Sequence, residues 1–236
     1  MFSQRLTRSI AIGAAAIALG GGAYGIVSAT ASTSSGTTTA APSISATSGQ
    51  HVPGSGGSNA RSGPAAGGSV GKVSSVSTSG FKLSTPAGEK VTVKETSSTK
   101  YEKGTKSVSA SAVTKGKSVL VLGTTDNTTI TATQVIMQPT NSGSKTSSEV
   151  VPFKQGAPST SKQAGQIPAN YKQGSGTIVG GTTANKATTA ALAAYPGGIV
   201  DRVVKLSNGE YEVHNIGVNW PHHIFVNKDF KVVGAD

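Results

Sequence analysis

Two histidines near the end of the chain carry the first chemical signal. The runs Tyr211-Glu-Val-His214 and His222-His-Ile-Phe-Val226 alternate in the manner of strands with one solvated face. If Ile216 stands opposite Pro221 across the loop between them, His214 stands opposite His223, at the roughly 5 Å Cβ spacing of cross-strand neighbours. Two imidazoles so placed could share a Cu²⁺ or Ni²⁺ ion. They are too few for a closed zinc site, and neither Glu212 nor Asn215 completes one. On the same register His222 points to the other face. No cofactor follows from this pattern. A second candidate is the apolar loop Val218-Asn-Trp220-Pro221. Its lone tryptophan either caps a small core or stands out as a contact anchor, and with Val218, Pro221 and Tyr211 it forms the candidate binding surface.

Catalysis finds no comparable signal. The chain has no G-x-S-x-G, no H-E-x-x-H and no phosphate-binding loop. The carboxylates Asp201, Glu210, Glu212 and Asp229 are spread along strands and turns, where a solvated face is expected. There is no cysteine, hence no disulfide, thiolate metal site or cysteine nucleophile. The expectation is a protein that is not an enzyme.

The elements that must position these residues occupy 183–236. Thr182 or Thr183 is placed to cap a helix whose apolar stripe is Ala187, Ala190, Ala191, Ala194 and Tyr195. Pro196-Gly-Gly198 ends it. Strands follow, with Asn208-Gly209 as a hairpin signal and Asn227-Lys-Asp229 as a second turn. The reading is an α+β unit of one helix and an antiparallel meander. In order and spacing, the helix, the PGG break, VDRVVKLSNGEYEVHNIG and HHIFVNKDFKVVG resemble the PepSY domain family, especially its actinobacterial secreted form. The resemblance implies a module that engages a protein of the cell envelope and regulates or inhibits an extracytoplasmic protease. This chain departs from the family at the hairpin loop, apolar here and usually charged there.

Upstream, residues 1–31 read as a signal peptide or membrane anchor: Arg5 and Arg8, an uncharged run over 10–27, then Ala29-Thr-Ala31 as a cleavage pattern. Residues 32–69 read as a disordered Ser/Thr/Gly tether. Residues 70–139 carry short apolar alternations, such as Phe81/Leu83, Val91/Val93 and Val119–Leu122, punctuated by turn residues. They predict a separate small all-β barrel. Its G-K-V-x-S-V, F-K-L-x-T-P-x-G and K-G-K-x-V-x-V-x-G-T runs resemble the secreted bacterial family catalogued as domain of unknown function 5666, which implies an OB-like barrel. Residues 140–182, rich in Gly, Ser, Gln, Lys and Pro, read as a second disordered linker.

The chain of 236 residues has a formal net charge of +11. Residues 70–139 hold nine lysines against four acids, while 183–236 balance to zero. With only Phe81 and Tyr101 as stacking platforms and no arginine, the barrel lacks the equipment of a single-strand nucleic-acid binder. Its lysines suit anionic wall polymers. The sequence therefore predicts an extracytoplasmic protein, secreted or anchored by residues 10–27, that touches the membrane only there. Its partners would be an envelope protein such as a protease, or an anionic wall polymer. The alternative roles are a surface spacer and a weak metal binder.

Overall fold

The structure is a computed structural model and describes residues 63–139, 146–157 and 159–236. The expected signal or anchor and most of the first tether lie outside these residues. Seven strands open the described chain: β1 (Ala65–Ser77), β2 (Gly80–Ser84), β3 (Lys90–Lys94), β4 (Lys100–Lys103), β5 (Lys106–Ser107), β6 (Ser118–Asp126) and β7 (Thr129–Met137). The ladders run β1-β2-β3-β7-β6 and back to β1, so five strands close a barrel, in keeping with the short alternating runs. All of these contacts are antiparallel except β3 with β7. Val73, Phe81, Leu83, Val91, Val93, Val121, Ile130 and Val135 fill the interior. They are the inward members of period-2 runs; the alternate residues of β2 and β3 face outward, while Leu120 and Leu122 of β6 are buried outside the barrel.

The rest comprises β8 (Val151–Pro152), β9 (Ala164–Gly165), β10 (Thr177–Val179), α1 (Gly181–Ala194), β11 (Ile199–Lys205), β12 (Tyr211–Ile216), β13 (Val218–Trp220), β14 (His223–Val226) and β15 (Val232–Ala235). The expected helix and antiparallel meander are present: β11, β12, β14 and β15 pair in sequence. The helix differs in detail. Gly180, not a threonine, caps it, and its buried face is Ala184, Ala187, Thr188, Ala191 and Leu192. Ala194 is exposed. The small side chains let α1 lie close to the sheet, against Val203, Val213, Ile224 and Val226.

Two expectations about organisation are corrected. The second linker is not a plain tether: β8 pairs with β13, β9 with β15, and β10 with β11. The reason lies in the sheet, which has two apolar faces and one helix. Val204, Leu206 and Phe225 lie on the face away from α1, and Ile167, Tyr171 and Ile178 of this segment cover them. Burying those side chains contributes on the order of 1.5–3 kcal/mol each, enough to order a segment of linker-like composition.

The barrel is also not separate. Gly68 and Ser69 of β1 pair with β6 on one side and with Val200 and Ile199 of β11 on the other. One strand thus serves both sheets. Ile199 lies in the barrel core, while Val70, Leu120 and Leu122 lie in the core under α1. The Ser69 hydroxyl donates to the Gly198 carbonyl across the join, at 3.0 Å. The expected tether gave way to strand at Ala65 because its glycines are what this crowded strand needs. A Cβ at Gly68 would press on the Val121 carbonyl, stand 3.1 Å from Leu122 Cδ2 and 3.3 Å from Thr188 Cγ2 of the helix.

Gly68→Ala is therefore expected to destabilise the protein by about 1–3 kcal/mol, the usual cost of overpacking. Urea unfolding of parent and variant measures it, and an unchanged midpoint would show that β1 and α1 are not in tight contact.

Candidate functional site

The predicted register holds: His214 stands opposite His223, with ring centroids 5.2 Å apart. Each imidazole is committed to a carboxylate. His214 Nδ1 lies 2.6 Å from Asp201 Oδ1, and His223 Nδ1 lies 2.7 Å from Glu212 Oε1. Both geometries place a ring N–H on Nδ1, donating to the carboxylate. Asp201 can reach His214 because the β11–β12 register shifts between Val200 and Arg202. This irregularity re-aims the side chain as a β-bulge does. Its other oxygen accepts from Arg202 Nη1 at 2.8 Å.

Glu212 is fully buried, and Arg202, His214 and His223 are nearly so. The expectation that Asp201 and Glu212 sit on a solvated face is thus wrong for Glu212 and largely wrong for Asp201. The covering segment closes the cluster. The Tyr171 hydroxyl lies 3.2 Å from His223 Nδ1, and the Gln173 side-chain amide donates to His223 Nε2 at 3.1 Å. The Tyr171 ring meets Phe225 edge-on. Burial, then the charge and hydrogen bond of Glu212, push the Tyr171 hydroxyl far above its ordinary pKa. Its proton stays on.

His222 corrects another expectation. It precedes β14 at a bend, so strand alternation does not govern it. Its ring joins the cluster, 6.0 Å from His214 and 6.3 Å from His223. Burial lowers its pKa, and the neighbouring imidazoles His214 and His223 lower it further; a hydrogen bond to the Val218 carbonyl and the charge of Asp201 oppose them.

The cluster is thus a packed network of side-chain hydrogen bonds, most of whose members are buried. His214 has Nδ1 on Asp201 and a buried Nε2. Among the described residues, no group of three or more His, Cys, Asp or Glu is arranged to hold a metal ion. A cavity of about 380 Å³ lies beside Asp201 and Arg202, between Pro64–Ala66 and Ile178–Gly180.

The candidate binding loop is largely core. Val218 and Pro221 are buried, and Trp220 is only 1% exposed. Its indole N–H donates to the Lys162 carbonyl at 2.7 Å, its ring meets Tyr195 edge-on, and the Lys162 ammonium lies 4.4 Å above it. The loop is a strand, β13, covered by β8. Of the four residues Tyr211 alone is half-buried, stacked on Phe230. The other three are corrected as surface anchors: a chain segment far upstream in sequence already occupies the position a partner would take.

What lies open is lysine. On the outer barrel wall Lys72, Ser84 and Lys90 form one cross-strand row, and Ser75, Lys82 and Thr92 the next. Lys94 follows opposite Gly80 and beside Thr131. All four lysines are exposed, and these rows contain no carboxylate. Among the described residues the ion pairs are Lys162–Glu149, Arg202–Asp201 and the two histidine–carboxylate contacts, so the lysine wall is not neutralised from within. Sequence reasoning found the excess of lysine but not its placement. It missed Tyr171 and Gln173, for which the spaced apolar residues Ile167, Tyr171 and Ile178 were the available signal.

No protein-family model, curated protein or solved structure matches this chain.

The lowered pKa of His222 sets a direction for stability. The unfolded chain takes up this proton more readily, near the ordinary histidine value of about 6.5. Stability from the neutral ring is thus present above that pH and lost as pH falls through it. The parent is expected to lose more stability than His222→Gln between about pH 7.5 and 5.5. Urea midpoints at the two pH values measure this, and equal losses would contradict it.

Proposed function

We propose that this is an exported, non-catalytic binding protein of the cell envelope, whose barrel holds anionic polymers on its lysine wall. The observation that carries the reading is the cross-strand array of Lys72, Lys82, Lys90 and Lys94, exposed on three adjacent strands with hydroxyl side chains and no acid between them. Strand spacing of about 4.8 Å sets the array on a rigid surface. A flexible polyanion meeting it gains several partial neutralisations at once, and loses them together when salt screens the charges. Export rests on the N-terminal pattern of Arg5, Arg8 and the uncharged run to residue 27.

A second reading assigns the C-terminal unit to regulation of an extracytoplasmic protease. It draws on the PepSY resemblance and on the half-exposed Tyr211–Phe230 stack, with rings 5.4 Å apart and nearly parallel. It is abandoned if the protein leaves the secreted proteases of its own envelope uninhibited. The weak metal-binding alternative has only the His214–His223 pairing in its favour.

Co-sedimentation of the full chain with anionic wall material tests the main reading. Retention is expected at about 50 mM salt and loss at about 500 mM, where the screening length is only a few ångströms. The variant Lys72→Gln/Lys82→Gln/Lys90→Gln/Lys94→Gln is expected to stay folded and lose retention at low salt. Undiminished retention by this variant would overturn the assignment.

A further inference from the structure

Beside its buried stripe the helix has a second, more open face. Lys186, Ala190 and Ala193 follow one another at i, i+4 and i+7, adjacent to the buried stripe. With Leu122 of β6, Ile136 of β7 and Phe230 they line an open groove of about 550 Å³ between α1 and the barrel. That volume is within the about 300–1,000 Å³ of small-molecule sites. Ile136, Phe230, the two alanines and the edge of Leu122 make most of its surface hydrocarbon, and Gln134, Thr182, Asn185 and Thr189 supply polar groups.

Three observations define what fits. First, the walls offer few free backbone groups. Leu122 of β6 is paired with β1 on one side and β7 on the other, and Ile136 of β7 with β6 and β4. The helix satisfies its own backbone beyond its first turn, whose N–H groups have no side-chain cap. An extended peptide would find no ladder to join, while a hydrocarbon chain needs none. Second, Lys186 is the only charged residue lining the groove. Its ammonium lies 5.4 Å from the Phe230 ring, and it has no carboxylate partner among the described residues. Third, Phe230 stands at φ 58, a left-handed conformation that a bulky side chain rarely adopts and that glycine would take without cost. The turn is held by Asn227, whose side-chain oxygen accepts from the Asp229 and Lys231 N–H groups. A strained aromatic is thereby set as the groove's end wall, stacked on Tyr211.

We infer that the groove between α1 and the barrel binds a fatty acid, its chain along Leu122, Ile136, Ala190 and Ala193 and its carboxylate at Lys186. This is independent of polymer binding, because the groove shares no residue with the lysine wall.

Calorimetric titration of the full chain with dodecanoate, kept below its micellar concentration, tests the inference. Saturable binding of one molecule per chain is expected. Ala193 is exposed, so Ala193→Trp fills the groove without entering the core and is expected to abolish binding while circular dichroism stays native. Lys186→Gln is expected to weaken dodecanoate about two- to fivefold, the range of a partly exposed ion pair, and to leave dodecanol unchanged. The four-lysine barrel variant is expected to bind dodecanoate normally. Absence of saturable binding, or binding that survives Ala193→Trp, would overturn the inference. So would concentration-dependent dimerisation that Ala193→Trp removes in the absence of any dodecanoate binding.

Discussion

The structure depends on one strand doing two jobs. At Gly68 and Ser69, β1 is hydrogen-bonded to β6 of the barrel and to β11 of the C-terminal sheet, with α1 lying across it. Three backbones and a helix meet there, and at Gly68 no side chain fits without displacing a neighbour. The same crowding forces the cores to interpenetrate: Ile199 fills the barrel and Leu120 and Leu122 fill the space under the helix. Once β1 is shared, the groove between α1 and the barrel is a consequence, since neither wall can move without breaking the join.

The covering segment obeys a related constraint. A sheet with apolar residues on both faces must be covered on both, and α1 reaches one. Residues of the apparent linker cover the other, and there Tyr171 and Gln173 close over His223. Polar groups so enclosed must keep their hydrogen-bond partners; removing one leaves a buried donor or acceptor unsatisfied, typically a loss of about 1–3 kcal/mol. The network therefore acts as a specification of register. Arg202 opposite His214, and His214 opposite His223, is an arrangement that a one-residue slip would destroy.

Much of this was legible in the sequence where period and turn chemistry speak locally. The barrel strands, the helix with its PGG stop and the antiparallel meander all follow from residues within a few positions of one another. So does the His214–His223 register, because a period of two leaves little freedom once a short loop is assumed. What was not legible came from distant contacts. Gly67-Gly68-Ser69 reads as tether until β11 is known to lie against it. Tyr171 and Gln173 read as linker until a second apolar face needs covering. Trp220 was evenly balanced between core and surface, and β8 together with the Lys162 carbonyl, far away in sequence, settles it as core. Charge behaved likewise: composition revealed the surplus of lysine, while only the strand register aligned four of them on one wall.

Joined at β1, the barrel and the C-terminal sheet form one cooperative body. The most direct measurement is urea unfolding of the full chain followed by two probes. Trp220 fluorescence reports the core under α1, and amide exchange at Val91 and Val93 of β3 reports the barrel far from the join. Coincident transitions are what a shared strand requires. A barrel that keeps its amide protection after Trp220 is exposed, or loses it first, would mean that the two parts fold independently and that the join contributes little.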